Sequence, residues 1–361
     1  MPDLEASARE LVDRCVGENL DQLTLMDMRG DGVGRALYAA SRAAGDVPLS
    51  LRAARALLAA LRAGGPLLVL TGFRVPPWGV PETDGLMGSA LLAAAIDRVA
   101  GAPVVCAVEA EVVGALAAAM HATGLGVTRE LGAASRLPHV VTVLAYTGAE
   151  PDPAAAARAL ADRIAPSACV AVERPGRNVN GRYHLALGRD VSDWIAPVDD
   201  LYEEVRRRGV LTVAIGDFGN ELGMGAIADA VRRETPAGTD CGCGCGGGVA
   251  CPIEADVTIA CSVSDWGAYA LAACLSHVGR DPTALVGGDV YRRVCEAAIA
   301  AGAIDGTSNL AIPHVDGVDD GYNGRLLETM RAVVRYPNRS PEHGRPRLHR
   351  AAMLGREVGP A

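Results

Sequence analysis

The sequence contains no lysine. That absence excludes a lysine-anchored pyridoxal phosphate, because no side-chain amine can form the Schiff base. It also excludes a Walker A phosphate loop, whose lysine is missing. Every fixed cation is an arginine, a planar fork suited to carboxylates and phosphates. Aromatic residues make up only 4% of the 361 positions, so the apolar half of the chain is aliphatic, mostly Ala, Val and Leu. Basic charge is also scarce. A formal net charge of −9 argues against a nucleic-acid partner, which would need a basic face. No apolar run approaches the roughly 20 residues of a membrane span. The first residues, MPDLEASARELVDR, are polar and acidic, unlike a secretory signal. A cytoplasmic protein with no membrane partner is expected.

Short apolar runs alternate with longer Ala/Leu stretches. Strands are expected at 66–73, 102–109, 139–146, 168–173, 210–216 and 256–263. They are nearly continuous apolar runs, as in strands buried on both faces. Helices are expected at 4–17, 50–63, 86–100, 111–122, 153–164, 198–208, 222–233, 266–278, 288–301 and 323–335. Such alternation predicts an α/β fold, a mostly parallel sheet flanked by helices. The length suits one domain over 1–336, or two lobes around one cavity. The tail 337–361, rich in Pro, Arg and His, is expected to be poorly ordered.

Ligands of such sheets sit outside the carboxyl ends of the strands. Four loops expected there concentrate carboxylates and glycines: TGFRVPPWGVPETDG (71–85), ERPGRN (173–178), GDFGNE (216–221) and SVSDWG (262–267). In the third, Asn220 reads as a helix N-cap with Glu221 in the first turn. Alternatively, Asp217, Asn220 and Glu221 offer hard oxygens to Mg²⁺, Mn²⁺ or Ca²⁺. Backbone N–H groups around Gly219 could hold an anionic group. Glu82 and Asp84 are either a solvated acidic turn or a pair that needs a cation or a shared proton. Glu173 closes an apolar strand, and Arg177 follows it, as an exposed ion-paired loop or as an Arg reading a substrate carboxylate. Tyr183, His184 and Asp190 lie close by, and a lone His is more often structural than catalytic.

Two glycine-rich pieces offer little chemistry. RGDGVGRALY (29–38) matches the dinucleotide fingerprint poorly, and no buried strand precedes it, so no nucleotide is expected. Of ten cysteines, Cys106, Cys169, Cys261, Cys274 and Cys295 lie in apolar runs and read as small buried hydrophobes. The exception is CGCGCGGGVAC (241–251). Cys241, Cys243, Cys245 and Cys251 could bind zinc, but the spacing is not the usual CxxC pair, and a disordered insertion is expected.

Taken in order, TGF…PETDG, ERPG, IGDFGNELGMG, SVSDWGAYAL, GAIDG and VDG resemble the D-glutamate cyclase-like family, over roughly 20–335. The resemblance implies an α/β fold with an acidic internal cavity, a divalent-metal site and the conversion of D-glutamate to 5-oxo-D-proline with loss of water. Some prokaryotic relatives look like metal-dependent phosphatases, and a non-catalytic metal or small-molecule binding protein is a third reading. The metal ligands expected on this basis are Glu82, Asp84, Asp217 and Glu221. Glu173 is expected as the base, with Asp217 and Glu221 beside it. Arg177 is expected to hold the substrate carboxylate, with Asn220, Tyr183 and Gly219 lining the substrate. A small anionic substrate and a homodimer are the partners expected. Phe218 and Asp265 depart from the family pattern, which has Gly and Asn there.

Overall fold

A computed structural model describes residues 2–43, 45–148 and 152–337. The tail expected to be loose lies outside the described residues, apart from Pro337.

Seven parallel strands form one sheet, and two small hairpins decorate it. In chain order the strands are β1 (Leu67–Thr71), β2 (Arg74–Val75), β3 (Val80–Pro81), β4 (Val104–Val108), β5 (Gly126–Thr128), β6 (Val140–Ala145), β7 (Ala168–Val172), β8 (Leu211–Gly216), β9 (Val257–Ala260), β10 (His314–Val315) and β11 (Val318–Asp319). The main sheet runs β5-β6-β4-β1-β7-β8-β9. The helices are α1 (Pro2–Leu23), α2 (Val33–Arg42), α3 (Leu49–Arg62), α4 (Leu86–Ala100), α5 (Ala110–Ala122), α6 (Pro153–Ile164), α7 (Asp199–Arg207), α8 (Ala228–Glu234), α9 (Ser264–Val278), α10 (Gly288–Ala300) and α11 (Asp320–Arg335).

The strand sequences explain the layering. Successive side chains point to opposite faces. In β1, Leu67 and Val69 enter one apolar cluster and Leu68 and Leu70 the other. The first cluster is roofed by α1, α3, α4, α5, α9, α10 and α11, and the second by α6 and α7. Both faces being covered, apolar residues occupy every position of β1, β4 and β7 except Thr71. Helix α9 is the centre of the thicker layer and packs on α4, α3, α1 and α11. Its Ala-rich sequence is buried from Ser264 to His277. Trp266 Nε1 donates to Asn323 Oδ1 of α11 at 2.7 Å.

All six expected strands are present, and the differences from expectation are local. The short edge strand β5 was not expected, since its three residues are too few to show a period. Helix α2 occupies the stretch read as a poor nucleotide loop, with Gly32 at its N-cap. The helix expected over 222–233 begins only at Ala228, after a 3₁₀ turn at Gly225–Ile227. The preceding residues are committed elsewhere: Leu222 N–H donates to the Arg174 carbonyl at 2.7 Å.

One buried ion pair ties the strand ends together. Arg174, fully buried after β7, meets Glu109 after β4 through two contacts of 2.6 and 2.8 Å. The same guanidinium donates to the carbonyls of Gly72 after β1 at 3.0 Å and of Ala196 at 2.6 Å. Ala196 N–H returns a bond to Glu109 at 2.8 Å. Removing one partner leaves the other charge buried and uncompensated. Glu109→Gln is expected to destabilise the fold by about 3–5 kcal/mol, read from the urea midpoint. Truncating Glu130, which pairs with exposed Arg136, should leave that midpoint unchanged.

Candidate functional site: an acidic cluster at the switch point of the sheet

From β1 the chain crosses to β4 on one side of the sheet and later returns to β7 on the other. Neighbouring parallel strands whose connections leave in opposite directions open a crevice at their carboxyl ends. Asp84 follows β1, Glu173 follows β7 and Asp217 follows β8, so all three belong to this edge. Gly85 makes the close approach possible. A Cβ there would lie 2.7 Å from Thr71 Oγ1 and 2.8 Å from the Glu173 Cβ, and its φ is +80°.

Asp84 and Asp265 cap each other's helices. Asp84 Oδ1 accepts Asp265 N–H at 2.8 Å, and Asp84 Oδ2 accepts Ser264 N–H at 3.3 Å, at the start of α9. Asp265 Oδ1 in turn accepts the N–H groups of Gly85 and Gly88 at 2.9 and 2.7 Å, at the start of α4. Each helix thus supplies a carboxylate to the free donors of the other. Asp265, one of the two departures from the family pattern, therefore has a structural task. Its second oxygen accepts the Tyr269 hydroxyl at 3.0 Å.

The GDFGNE loop is folded around its own glutamate. Glu221 accepts N–H bonds from Asp217, Phe218 and Gly219 at 2.8, 3.0 and 2.6 Å. This tightens the loop and leaves Asp217 at its tip. Ligand oxygens of Asp84, Asp217 and Asp316 lie within 4.8 Å of one another, and so do those of Glu173, Asp217 and Glu221. Asp217 belongs to both sets. One cation already faces it. Arg29 donates to Asp217 at 2.8 Å, lies 3.4 Å from Asp316, and stacks over Phe218 at 4.2 Å. Phe218, the other departure, is thus a platform for that guanidinium.

Burial and mutual repulsion govern protonation here. Burial first, then neighbouring carboxylates, pushes Glu82, Asp84, Glu173 and Asp316 well above the usual carboxyl range. Burial and Asp217 raise Glu221 to about 8 against its N–H bonds, and burial raises Asp265 to about 7. Glu173 keeps a hydroxyl partner, Ser264 Oγ at 2.5 Å, on a backbone held at φ +41°. A residue other than glycine at positive φ is strained, a feature that gathers at functional sites.

The expected residues divide into those that converge and those that do not. Asp84, Asp217, Glu173 and Glu221 come together as described. Glu82 is close enough to raise its neighbours, but it belongs to neither tight set. Gly219 shapes the loop, with φ +89°. Asn220 turns its amide to the His184 carbonyl at 3.1 Å and leaves Oδ1 buried without a protein partner among the described residues. Arg177 points away from the cluster. Its guanidinium pairs with Asp200 at 2.7 Å and with Glu203, and its N–H with Asp199. Tyr183 gives its hydroxyl to Asp199 at 2.6 Å. The arginine at the cluster is Arg29, and its nearest unforeseen acid is Asp316, in the turn between β10 and β11. The VDG motif signalled Asp316, but nothing beyond a glycine-rich turn marked Arg29. The 241–251 segment is not a loose insertion. Cys241, Cys243 and Cys245 converge on His184, while Cys251 is buried in the core beside Leu222.

The chain is an α/β domain with buried carboxyls gathered at the switch point of a parallel sheet, the edge where domains of this architecture bind ligands. The chain belongs to the D-glutamate cyclase-like, C-terminal family, whose description matches residues 20–331. It is similar to the human protein "D-glutamate cyclase, mitochondrial", with 39% identity over 107 residues. That match covers 29% of this chain and 16% of the relative. Among the described residues no helix is long and apolar enough to cross a membrane.

The raised carboxyls set the sign of the pH response. The folded chain keeps protons that the unfolded chain releases near pH 4. Stability from this source is present below that point and is lost as pH rises through the folded values, about 7 for Asp265 and about 8 for Glu221. The melting temperature of chelator-treated protein is expected to fall steadily between roughly pH 5.5 and 8.5. A rise over that interval would contradict this account.

Proposed function

We propose that the chain is a divalent-metal-dependent cyclase that converts D-glutamate to 5-oxo-D-proline and water. Family membership supports the reaction class. The observation that carries the reading is the convergence of Asp84, Asp217 and Asp316 within 4.8 Å. Several buried hard oxygens with too little positive charge between them suit Mg²⁺, Mn²⁺ or Ca²⁺. Thr71 Oγ1 and Asn220 Oδ1 add buried polar atoms without protein partners among the described residues. Asp84, Asp217 and Asp316 would hold the ion, with Glu221 bracing the backbone of Asp217.

The chemistry asks little of a base. The amine nitrogen bonds to the side-chain carboxyl carbon, and one carbon–oxygen bond of that carboxyl breaks. The ammonium gives up two protons and the departing oxygen gains two, so the net exchange with solvent is nil. A single carboxyl that both takes and returns a proton is sufficient. Glu173, buried and bonded to Ser264, would serve as that carboxyl. A bound divalent ion would polarise the reacting carboxyl and stabilise the tetrahedral oxyanion. The attack is intramolecular, so the protein's further work is to fold the substrate into a ring-closing shape. Arg29, the arginine that reaches the cluster, would take the role expected of Arg177 and hold the α-carboxylate of the substrate. All ten cysteines are unpaired, which fits a reducing compartment and the expected cytoplasmic location.

The test is to incubate chelator-treated protein with D-glutamate and Mg²⁺, Mn²⁺ or Ca²⁺, and to follow 5-oxo-D-proline by chiral chromatography. Product should require the ion. Asp217→Asn and Asp316→Asn should each lower turnover by at least about 100-fold and weaken metal binding in calorimetry. Full turnover and metal affinity in both variants would move the site elsewhere. Hydrolysis of a chromogenic phosphate ester without any cyclisation would favour a phosphatase instead. Ion binding without any product would leave a binding protein.

A further inference from the structure

We propose that His184, Cys241, Cys243 and Cys245 form a second metal centre, a closed structural zinc site distinct from the acidic cluster. Its four ligand atoms, the imidazole Nε2 and three sulfurs, lie within 4.8 Å of one another. The Cys241 sulfur is 3.1 Å from that of Cys243 and 3.4 Å from that of Cys245. His184 Nε2 is 3.3 Å from the Cys243 sulfur and 3.8 Å from the Cys245 sulfur. None of these is a disulfide, which would bring two sulfurs to about 2.05 Å. The nitrogen–sulfur distances fall near the edges of a coordination tetrahedron, and the sulfurs sit about 0.4–0.7 Å inside theirs. Bond lengths of about 2.3 Å to sulfur and 2.05 Å to nitrogen give edges of about 3.8 Å between sulfurs and about 3.5 Å from sulfur to nitrogen.

The local sequence explains how a spacing unlike CxxC can do this. Gly242 and Gly244 take φ of +69° and +91°, with open space where a side chain would be. The chain turns back at each, so the cysteines on either side face inward together. The fourth ligand comes from 57 residues earlier, from the excursion that follows β7, which is why no local motif announces it. Cys251, the fourth thiol of the run, takes no part. Three thiols and an imidazole are soft ligands, suited to zinc and not to the hard ions of the acidic cluster. Four protein ligands close the coordination shell, as in structural sites. Asn178 supports the set. Its amide donates to the Cys245 sulfur at 3.3 Å and to the Gly248 carbonyl at 2.7 Å. N–H bonds to sulfur offset the charge that three thiolates gather around one ion.

The centre braces the loop that carries Asp217. Asn220 donates to the His184 carbonyl, and Cys251 N–H donates to the Gly219 carbonyl at 3.2 Å. The zinc-bound segments on both sides thus hold GDFGNE in place. The zinc centre requires no ion in the acidic cluster.

Protein purified from zinc-supplemented cells, then dialysed against a mild chelator that strips Mg²⁺ and Mn²⁺, should retain one zinc per chain by elemental analysis. Cobalt(II) in its place should show tetrahedral visible bands and a sulfur-to-metal charge-transfer band. Cys243→Ser and His184→Ala should abolish retention, whereas Cys15→Ala and Asp217→Asn should keep one zinc. Because a variant can fail to fold, the wild-type chain gives a second reading. An organomercurial should release that zinc stoichiometrically to an indicator dye. Wild-type protein without tightly held zinc, or zinc retained by Cys243→Ser, would overturn the proposal. So would a cobalt spectrum lacking the sulfur charge-transfer band.

Discussion

Crowded negative charge is the constraint on which the rest of this molecule turns. Glu82, Asp84, Glu173, Asp217, Glu221, Asp265 and Asp316 approach one another at one edge of a sheet, and most are buried. Seven ionised carboxylates cannot share such a space unaided. The protein answers in three ways. Helix N-termini and loop N–H groups hold Asp84, Asp265 and Glu221. A raised proton affinity neutralises others, and Arg29 faces Asp217 and Asp316. The proposed divalent ion would add a further answer, and the proposed chemistry is what such an ion would make available.

The same atoms build the fold and the site. The exchange of caps between α4 and α9 fixes two buried helices, and it also sets Asp84 beside Asp217. The Arg174–Glu109 pair gathers the ends of β1, β4 and β7, and so fixes the floor beneath Glu173. A chain that needs buried polar groups at its strand ends must satisfy each of them. Here the satisfaction is reciprocal: an acid that caps one element stands at the site of another. The loops that carry Asp84, Glu173 and Asp217 are thereby tied to helix starts and strand ends.

Much of this was legible in the chain. The strands could be read because burial on both faces leaves nearly continuous apolar runs, and a strand–helix alternation with loops of Gly and carboxylates locates the edge where ligands bind. Asp84, Glu173, Asp217 and Glu221, all expected at that edge, converge there in the fold. Arg177 was misjudged because its partners, Asp199, Asp200 and Glu203, sit on a helix that packs beside it only after folding. Arg29 was missed because a cation's target cannot be read from a local glycine turn. His184 and the three cysteines looked unrelated because 57 positions separate them.

The sequence by itself determined what depends on neighbours along the chain: parallel strands from apolar runs, the exclusion of lysine chemistry, and an excess of carboxylates at one sheet edge. Tertiary structure alone decided which charges meet. Ion pairing, capping across helices and metal-like clustering are set by distances of a few ångströms between residues tens or hundreds of positions apart, and electrostatic energy follows those distances, not the order of residues.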